Sequence, residues 1–161
     1  MAIAGIGVDC CEIERIRRAL EAPSGDRFRT RVFTEAEQAY CEARRAGRCQ
    51  SYAARFAAKE AVMKVLGTGW SAGVTWRDVE VVGTQGTPPA LRLHGAAAAL
   101  ARRRGITRWF ATFSHTTTVA LAVVVAEGRR LRGAGPSPGA SRRGAGGGSG
   151  RPRPRGRPPG R

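Results

Sequence analysis

Residues 51–67 read SYAARFAAKEAVMKVLG, and this stretch decides the architecture. Alanine recurs, no proline interrupts, and a glycine follows the last apolar residue. The stretch is therefore predicted to be a long helix from about Ser51 to Leu66, ended by Gly67. Its residues are mostly alanine and apolar, so the helix is expected to lie packed among other elements. Glu60 and Lys64 stand four apart and share a face, which by spacing alone is an ordinary surface ion pair. Two observations point elsewhere. Of 28 basic residues only Lys59 and Lys64 are lysine, and both fall in this helix. In a chain that uses arginine for generic charge, lysine marks positions where a compact, deprotonatable amine matters, chance placement being the alternative. In addition, Asp9 closes the apolar run AIAGIGVD at 2–9, read as a buried strand that delivers the acid at its end, where a lone carboxylate needs a partner or a metal.

Working outward, Glu12 to Leu20 carries Ile13, Ile16 and Leu20 at helical spacing, with Arg15, Arg17 and Arg18 mostly off that stripe. Pro23, Ser24 and Gly25 break the helix. Thr34 and Glu37 form a capping box that opens a helix running to about Ala43. After the loop GTGWSAGVTW, Asp78–Val82 and Ala90–Leu93 read as short strands about a turn at Gly86-Thr87-Pro88-Pro89. Gly95–Arg104 is a helix stopped by Gly105, and Arg108–Ser114 and Thr118–Ala126 are strands around Ser114-His115-Thr116. The mixed order makes the class α+β, in a single small domain of residues 1–127.

Ten of the 26 arginines lie between Gly128 and Arg161, a Gly/Pro/Ser-rich stretch without an acid and with Leu131 as its only large apolar residue. Such a segment buries too little surface to offset its ordering entropy, so 128–161 is expected to be a disordered tail. It is either a plain solvated extension or a nonspecific contact for nucleic acid and other anionic surfaces. No run of eighteen apolar residues occurs, so no membrane span is expected. The N-terminus lacks a basic start, which argues against a secretory signal. The cysteines at 10, 11, 41 and 49 fit no zinc spacing and are expected to be free thiols of a cytoplasmic protein.

Two carboxylates from separate elements, Asp9 and Glu60, suit magnesium, which binds oxygen and takes one or two protein carboxylates plus substrate phosphates. A nearby lysine would neutralise phosphate charge or protonate a phosphate leaving group. His115, in a strand-to-strand turn, is either a locally bonded turn histidine or a phosphate contact and proton carrier. Gly5-Ile6-Gly7 lacks the third glycine of a nucleotide loop, and its glycines are expected to permit close backbone approach.

The segments GIGVDCCEIERI (5–16), FTEAEQAYC (33–41), RFAAKEAVMKVLGTG (55–69), WRDVEV (76–81), GTPPALRLHG (86–95) and FSHTTTVALAVVV (113–125) resemble, in order, the bacterial holo-acyl-carrier-protein synthases, a branch of the phosphopantetheinyl transferases. The resemblance implies a phosphopantetheinyl transferase fold working as a homotrimer with sites between subunits. It implies transfer of the 4′-phosphopantetheine arm of coenzyme A to a serine of an acyl carrier protein, in support of fatty acid biosynthesis. On this chain it implies Asp9 and Glu60 as magnesium ligands, and Lys64, Glu60 and His115 as catalytic groups. Arg55, Gly86, Pro88, Ser114 and His115 would line the coenzyme A site, and Arg15 and Arg18 would dock the carrier's acidic helix. A broader transferase serving polyketide or peptide synthases is the rival enzyme. An RNA-binding protein driven by the tail is the rival from another class.

Overall fold

A computed structural model describes residues 1–68, 73–83 and 86–129. The expected tail lies outside the described residues from 130 onward, as does the centre of the GTGWSAGVTW loop. The elements are β1 (Ala2–Glu12), α1 (Ile13–Glu21), α2 (Gly25–Val32), α3 (Glu35–Ala43), a 3-10 turn (Arg45–Gly47), α4 (Arg48–Leu66), a second 3-10 turn (Trp76–Asp78), β2 (Val79–Val82), β3 (Ala90–Leu93), α5 (Gly95–Arg103), β4 (Ile106–His115) and β5 (Val119–Gly128).

The long helix is the centre of the molecule. α4 is buried on nearly every side, from Tyr52 through Leu66, which is why its sequence carries no narrow apolar stripe. It ends where Gly67 adopts a left-handed φ of 59° and its N–H returns to the Lys64 carbonyl. Beneath it lies a three-stranded antiparallel sheet in the order β1–β5–β4, while β2 and β3 pair separately. The inward residues of the central strand β5 are Ala120, Ala122, Val124 and Ala126, all fully buried. These small side chains let the helix approach the sheet closely. On β1 the approach is closer still: a Cβ on Gly7 would stand 2.1 Å from the Ala61 carbonyl oxygen, and one on Gly5 would stand 2.8 Å from Val65 Cγ1. The Gly5-Ile6-Gly7 run is thus the backbone approach expected of it.

The other face of the sheet is bare. Register aligns Ile6, Val125 and Phe110 in one row across the three strands, Val8, Val123 and Thr112 in the next, and Cys10, Leu121 and Ser114 in a third. Ile6 is 62 % exposed and Phe110 43 %.

Three expectations are corrected. Strand β1 does not end at Asp9 but runs to Glu12, because its pairing with β5 continues through Glu12 opposite Val119. Gly25 begins a helix rather than merely breaking one. Pro23 and Ser24 stop α1, and residues 25–32 then form α2, whose buried residues Gly25 and Val32 face inward while Arg27 and Arg31 stay exposed and Arg29 is half-buried. Lys59, one of the two lysines singled out, is not available for chemistry. Its side chain is fully buried, with Nζ 2.8 Å from Glu37 Oε2 and donating to the Trp76 carbonyl (3.1 Å) and the Val79 carbonyl. Burial pushes the amine's pKa down while the Glu37 charge opposes that shift. Glu37 completes the capping box with Thr34 and also accepts from the Val81 N–H (2.9 Å), so one buried ion pair ties α3, α4 and β2 together.

Candidate functional site

Candidate chemistry gathers on two flanks of α4. On the β1 flank, Asp9 points toward the helix and is 19 % exposed. Lys64 reaches it across the sheet edge: Nζ donates to Asp9 Oδ1 at 2.7 Å and to the Val8 carbonyl at 2.8 Å. Lys64 therefore pairs not with Glu60 along the helix but with Asp9 across to the strand, and the hydrogen bond to Asp9 holds the ammonium pKa above its ordinary value. One turn earlier on α4, Glu60 has no hydrogen bond or ion pair among the described residues. Burial, and then the Asp9 charge, raise its pKa, with Lys64 and Arg15 opposing. Glu60 is thus a half-buried carboxylate without a bonded cation among the described residues, beside a second carboxylate that Lys64 already pairs. Two hard oxygen donors, Asp9 and Glu60, fit the donor set of a magnesium ion, which takes one or two protein carboxylates and fills its shell with water and substrate phosphate. Among the described residues no cluster of three or more metal-ligating side chains exists, so an all-protein cage is absent.

Arg15 reaches this flank from α1, its guanidinium 5.5 Å from the centre of the Phe56 ring, which itself stacks on Trp76 at 4.6 Å. Arg15, Phe28, Arg31, Phe56 and Trp76 line a groove of about 320 Å³ between α1, α2 and α4. Arg18 stands apart, 79 % exposed and paired with Glu14 at 3.2 Å. The two arginines assigned to one basic patch thus occupy an aromatic groove and an open helix face respectively.

On the β4 flank, Arg55 is 94 % buried by its neighbours (6 % exposed), its guanidinium 4.0 Å from the centre of the Tyr40 ring. Arg55 borders a cavity of about 430 Å³ with Tyr40, Arg44, Gln50, Phe113 and His115. It also borders a smaller lobe of about 190 Å³ with Gly83, Thr87, Pro89 and Phe113. His115 Nδ1 lies 3.3 Å from the Thr116 carbonyl. That bond makes Nδ1 the protonated nitrogen and leaves Nε2 for a ligand. Gly86 and Pro88 belong to the same β2–β3 loop as Thr87 and Pro89, with Gly86 at φ 84°. Arg55, His115 and the 86–89 loop are therefore brought together. Ser114 is not: strand alternation turns it to the bare outer face, in the row of Leu121 and Cys10.

Asp9 and Phe113 both sit opposite Ala122, on opposite edges of the sheet, roughly 10 Å apart by two strand spacings. α4 lies between them, and Arg55 and Glu60, five residues apart, project roughly 140° apart around it. Among the described residues, the groove on one flank and the cavity on the other share no lining residue. Reading the sequence missed Tyr40, Phe113, Gln50 and the Phe56–Trp76 stack. The aromatic residues look like ordinary core, and only the fold puts them beside charge.

Residues 5–124 match a family described as the 4′-phosphopantetheinyl transferase superfamily, of the holo-acyl-carrier-protein synthase type. The chain belongs to this superfamily. The holo-acyl-carrier-protein synthase of Solibacter usitatus is 46 % identical over 125 residues, 78 % of this chain and 98 % of the relative. That of Desulforudis audaxviator is 50 % identical over 126 residues, 78 % of this chain and 94 % of the relative. Among solved structures, the Neisseria meningitidis holo-acyl-carrier-protein synthase superposes with a TM-score of 0.68 at 32 % identity, covering 78 % of this chain and 99 % of that one. The Helicobacter pylori enzyme, solved in complex with coenzyme A, superposes with a TM-score of 0.66 at 26 % identity, covering 76 % and 100 %. Every candidate residue of both flanks falls inside the matched segment of this transferase, and the stretch from 128 onward lies beyond it.

Proposed function

We propose that this chain transfers the 4′-phosphopantetheine arm of coenzyme A to a serine of an apo-acyl carrier protein, releasing 3′,5′-ADP, as a cytoplasmic step that supports fatty acid biosynthesis. The observation that carries the reading is the Asp9–Glu60–Lys64 constellation in a chain of this superfamily. Coenzyme A is supported by the complexes of the related Helicobacter pylori and Bacillus anthracis enzymes, the latter described as holding coenzyme A (3′,5′-ADP).

Asp9 and Glu60 would hold magnesium, which would supply positive charge against the coenzyme A pyrophosphate. The carrier serine oxygen attacks the β-phosphorus, and the bond from that phosphorus to the oxygen of 3′,5′-ADP breaks. The serine proton passes to a carboxylate such as Glu60 or to a nearby water. Lys64, released from Asp9, turns its ammonium to the departing phosphate. Arg55 and His115 Nε2 hold the nucleotide end, with the 86–89 loop beside them. Arg15 and Arg18 draw in the acidic helix of the carrier. The nucleophile belongs to the partner, which accounts for the lack of an activated serine here.

Two features support a homotrimer with shared sites. The apolar rows on the outer sheet face need a cover, and a second copy supplies one. The two half-sites on opposite flanks of one chain meet when neighbouring copies bring unlike flanks together. The stretch 128–161 is an appendage outside the transfer machinery.

The test is direct. Purified protein, apo-acyl carrier protein, coenzyme A and magnesium are combined and the carrier is weighed by intact mass spectrometry. A gain of one phosphopantetheine arm, absent with EDTA and in Asp9→Ala and Glu60→Ala, is expected. No gain with several apo-carriers overturns the proposal and turns attention to the basic tail.

A further inference from the structure

Arg55 is buried to 6 % exposure, yet no carboxylate pairs with it among the described residues. Its one hydrogen bond there is a long one, from Nη1 to the Ser51 carbonyl at 3.4 Å, and its Nε is buried without a partner. The nearest buried cation, Lys59, lies one turn further along α4, where the Arg55 charge helps push the Lys59 pKa down. A guanidinium so placed is costly unless something answers its charge. The group that answers it is the Tyr40 ring, whose centre lies 4.0 Å from the Arg55 Cζ. Tyr40 also carries the guanidinium of Arg44 at 6.0 Å and borders both lobes of the β4-flank cavity.

The choice of a ring over a carboxylate has a chemical consequence. A carboxylate would occupy the in-plane N–H donors of the guanidinium two at a time and cancel its charge. An aromatic face attracts the cation along the perpendicular and leaves those donors free. We propose that Tyr40 is a positioning residue: its ring fixes the Arg55 guanidinium beside the cavity without engaging its in-plane donors, and so sets affinity for the phosphate-bearing nucleotide end of the substrate. The inference rests on the transferase reading of the site and deepens it.

The experiment uses the full chain and 3′,5′-ADP as the probe. Binding is measured by calorimetry, together with KM for coenzyme A and kcat at saturation. Tyr40→Leu removes the ring and is expected to weaken 3′,5′-ADP binding and raise KM by between about threefold and about thirtyfold, with kcat within about twofold. Tyr40→Phe keeps the ring and retains affinity. A purely structural role would instead move thermal stability and kcat with no selective effect on KM. Should Tyr40→Leu fail to fold, incorporation of phenylalanine, 4-fluorophenylalanine and 3,4,5-trifluorophenylalanine at position 40 keeps the shape and drains the ring face step by step. Affinity is then expected to fall at each step. Unchanged affinity in Tyr40→Leu, equal loss in Tyr40→Phe and Tyr40→Leu, or a flat fluorination series overturns the inference. Those results leave the transferase reading standing. A wild-type protein that neither binds 3′,5′-ADP nor modifies a carrier overturns both.

Discussion

Lys59→Met removes one partner of a fully buried ion pair, and the structure sets the size of the effect. Lys59 Nζ and Glu37 Oε2 are 2.8 Å apart with both side chains at 0 % exposure, and the same ammonium serves the carbonyls of Trp76 in the second 3-10 turn and Val79 at the start of β2. Methionine fills the same space but leaves Glu37 as a buried carboxylate holding only the N–H groups of Thr34 and Val81. Breaking such a pair costs about 3–5 kcal/mol, a large part of the 5–15 kcal/mol that holds a domain of this size together. The loss carries a pH signature. Without the lysine the buried carboxylate is penalised only while it is ionised, so the penalty is largest at neutral pH and shrinks as pH falls toward the ordinary carboxylate range. Urea unfolding at pH 7 and pH 5, followed by tryptophan fluorescence at two protein concentrations, measures it. The gap to wild type is expected to narrow at pH 5, and the double variant Lys59→Met/Glu37→Gln is expected to recover at least half of the loss at pH 7. A loss below about 1 kcal/mol, or one that is the same at both pH values, refutes the reasoning.

Further outcomes follow from other contacts. Gly7→Ala drives a methyl group to 2.1 Å from the Ala61 carbonyl and is expected to cost about 1–3 kcal/mol in urea melts while weakening magnesium binding, because α4 must retreat from the strand that carries Asp9. Lys64→Gln frees Asp9 of its internal cation; titration with magnesium is expected to give a lower Kd than wild type, and the transfer assay a lower kcat. Glu42 receives Arg48 Nε at 2.6 Å and the Tyr52 hydroxyl at 2.9 Å, and the bond from Arg48 foremost holds its carboxyl below the ordinary range. Its stabilising effect is therefore present above the unfolded pKa and lost as pH falls through the lower folded one. Glu42→Gln is expected to be less stable than wild type at pH 7 and equal to it near pH 2.

What was legible in the chain and what was not divides along physical lines. The capping box at Thr34 and Glu37, the glycine stop at Gly67 and the alanine-rich run of α4 are local signals, and each element formed where those signals stand. Asp9, Glu60 and Lys64 were legible as a set, since the strand and the helix face could each be read alone. Their pairing was not, because Lys64 crosses to Asp9 over the edge of β1, a contact of 55 residues' separation. α2 stayed hidden behind Pro23-Ser24-Gly25, where the residues that stop one helix sit directly before the next. Lys59 misled because burial with Glu37 depends on α3 and β2 arriving together. Ser114 and His115 are neighbours in sequence, yet alternation sends them to opposite faces of the sheet.

One transferase site is proposed to be built from unlike flanks of two copies of this chain. Glu60→Ala and Arg55→Ala are each expected to be inactive as pure assemblies. Unfolded together in equal amounts and refolded, they are expected to form mixed trimers, in which about one site in four joins an intact Asp9–Glu60 flank to an intact Arg55–His115 flank. The account therefore expects carrier modification to return to about a quarter of the wild-type rate. A mixture as inactive as its components, from assemblies shown to have exchanged chains, would place both flanks of each site in one protomer and contradict the account.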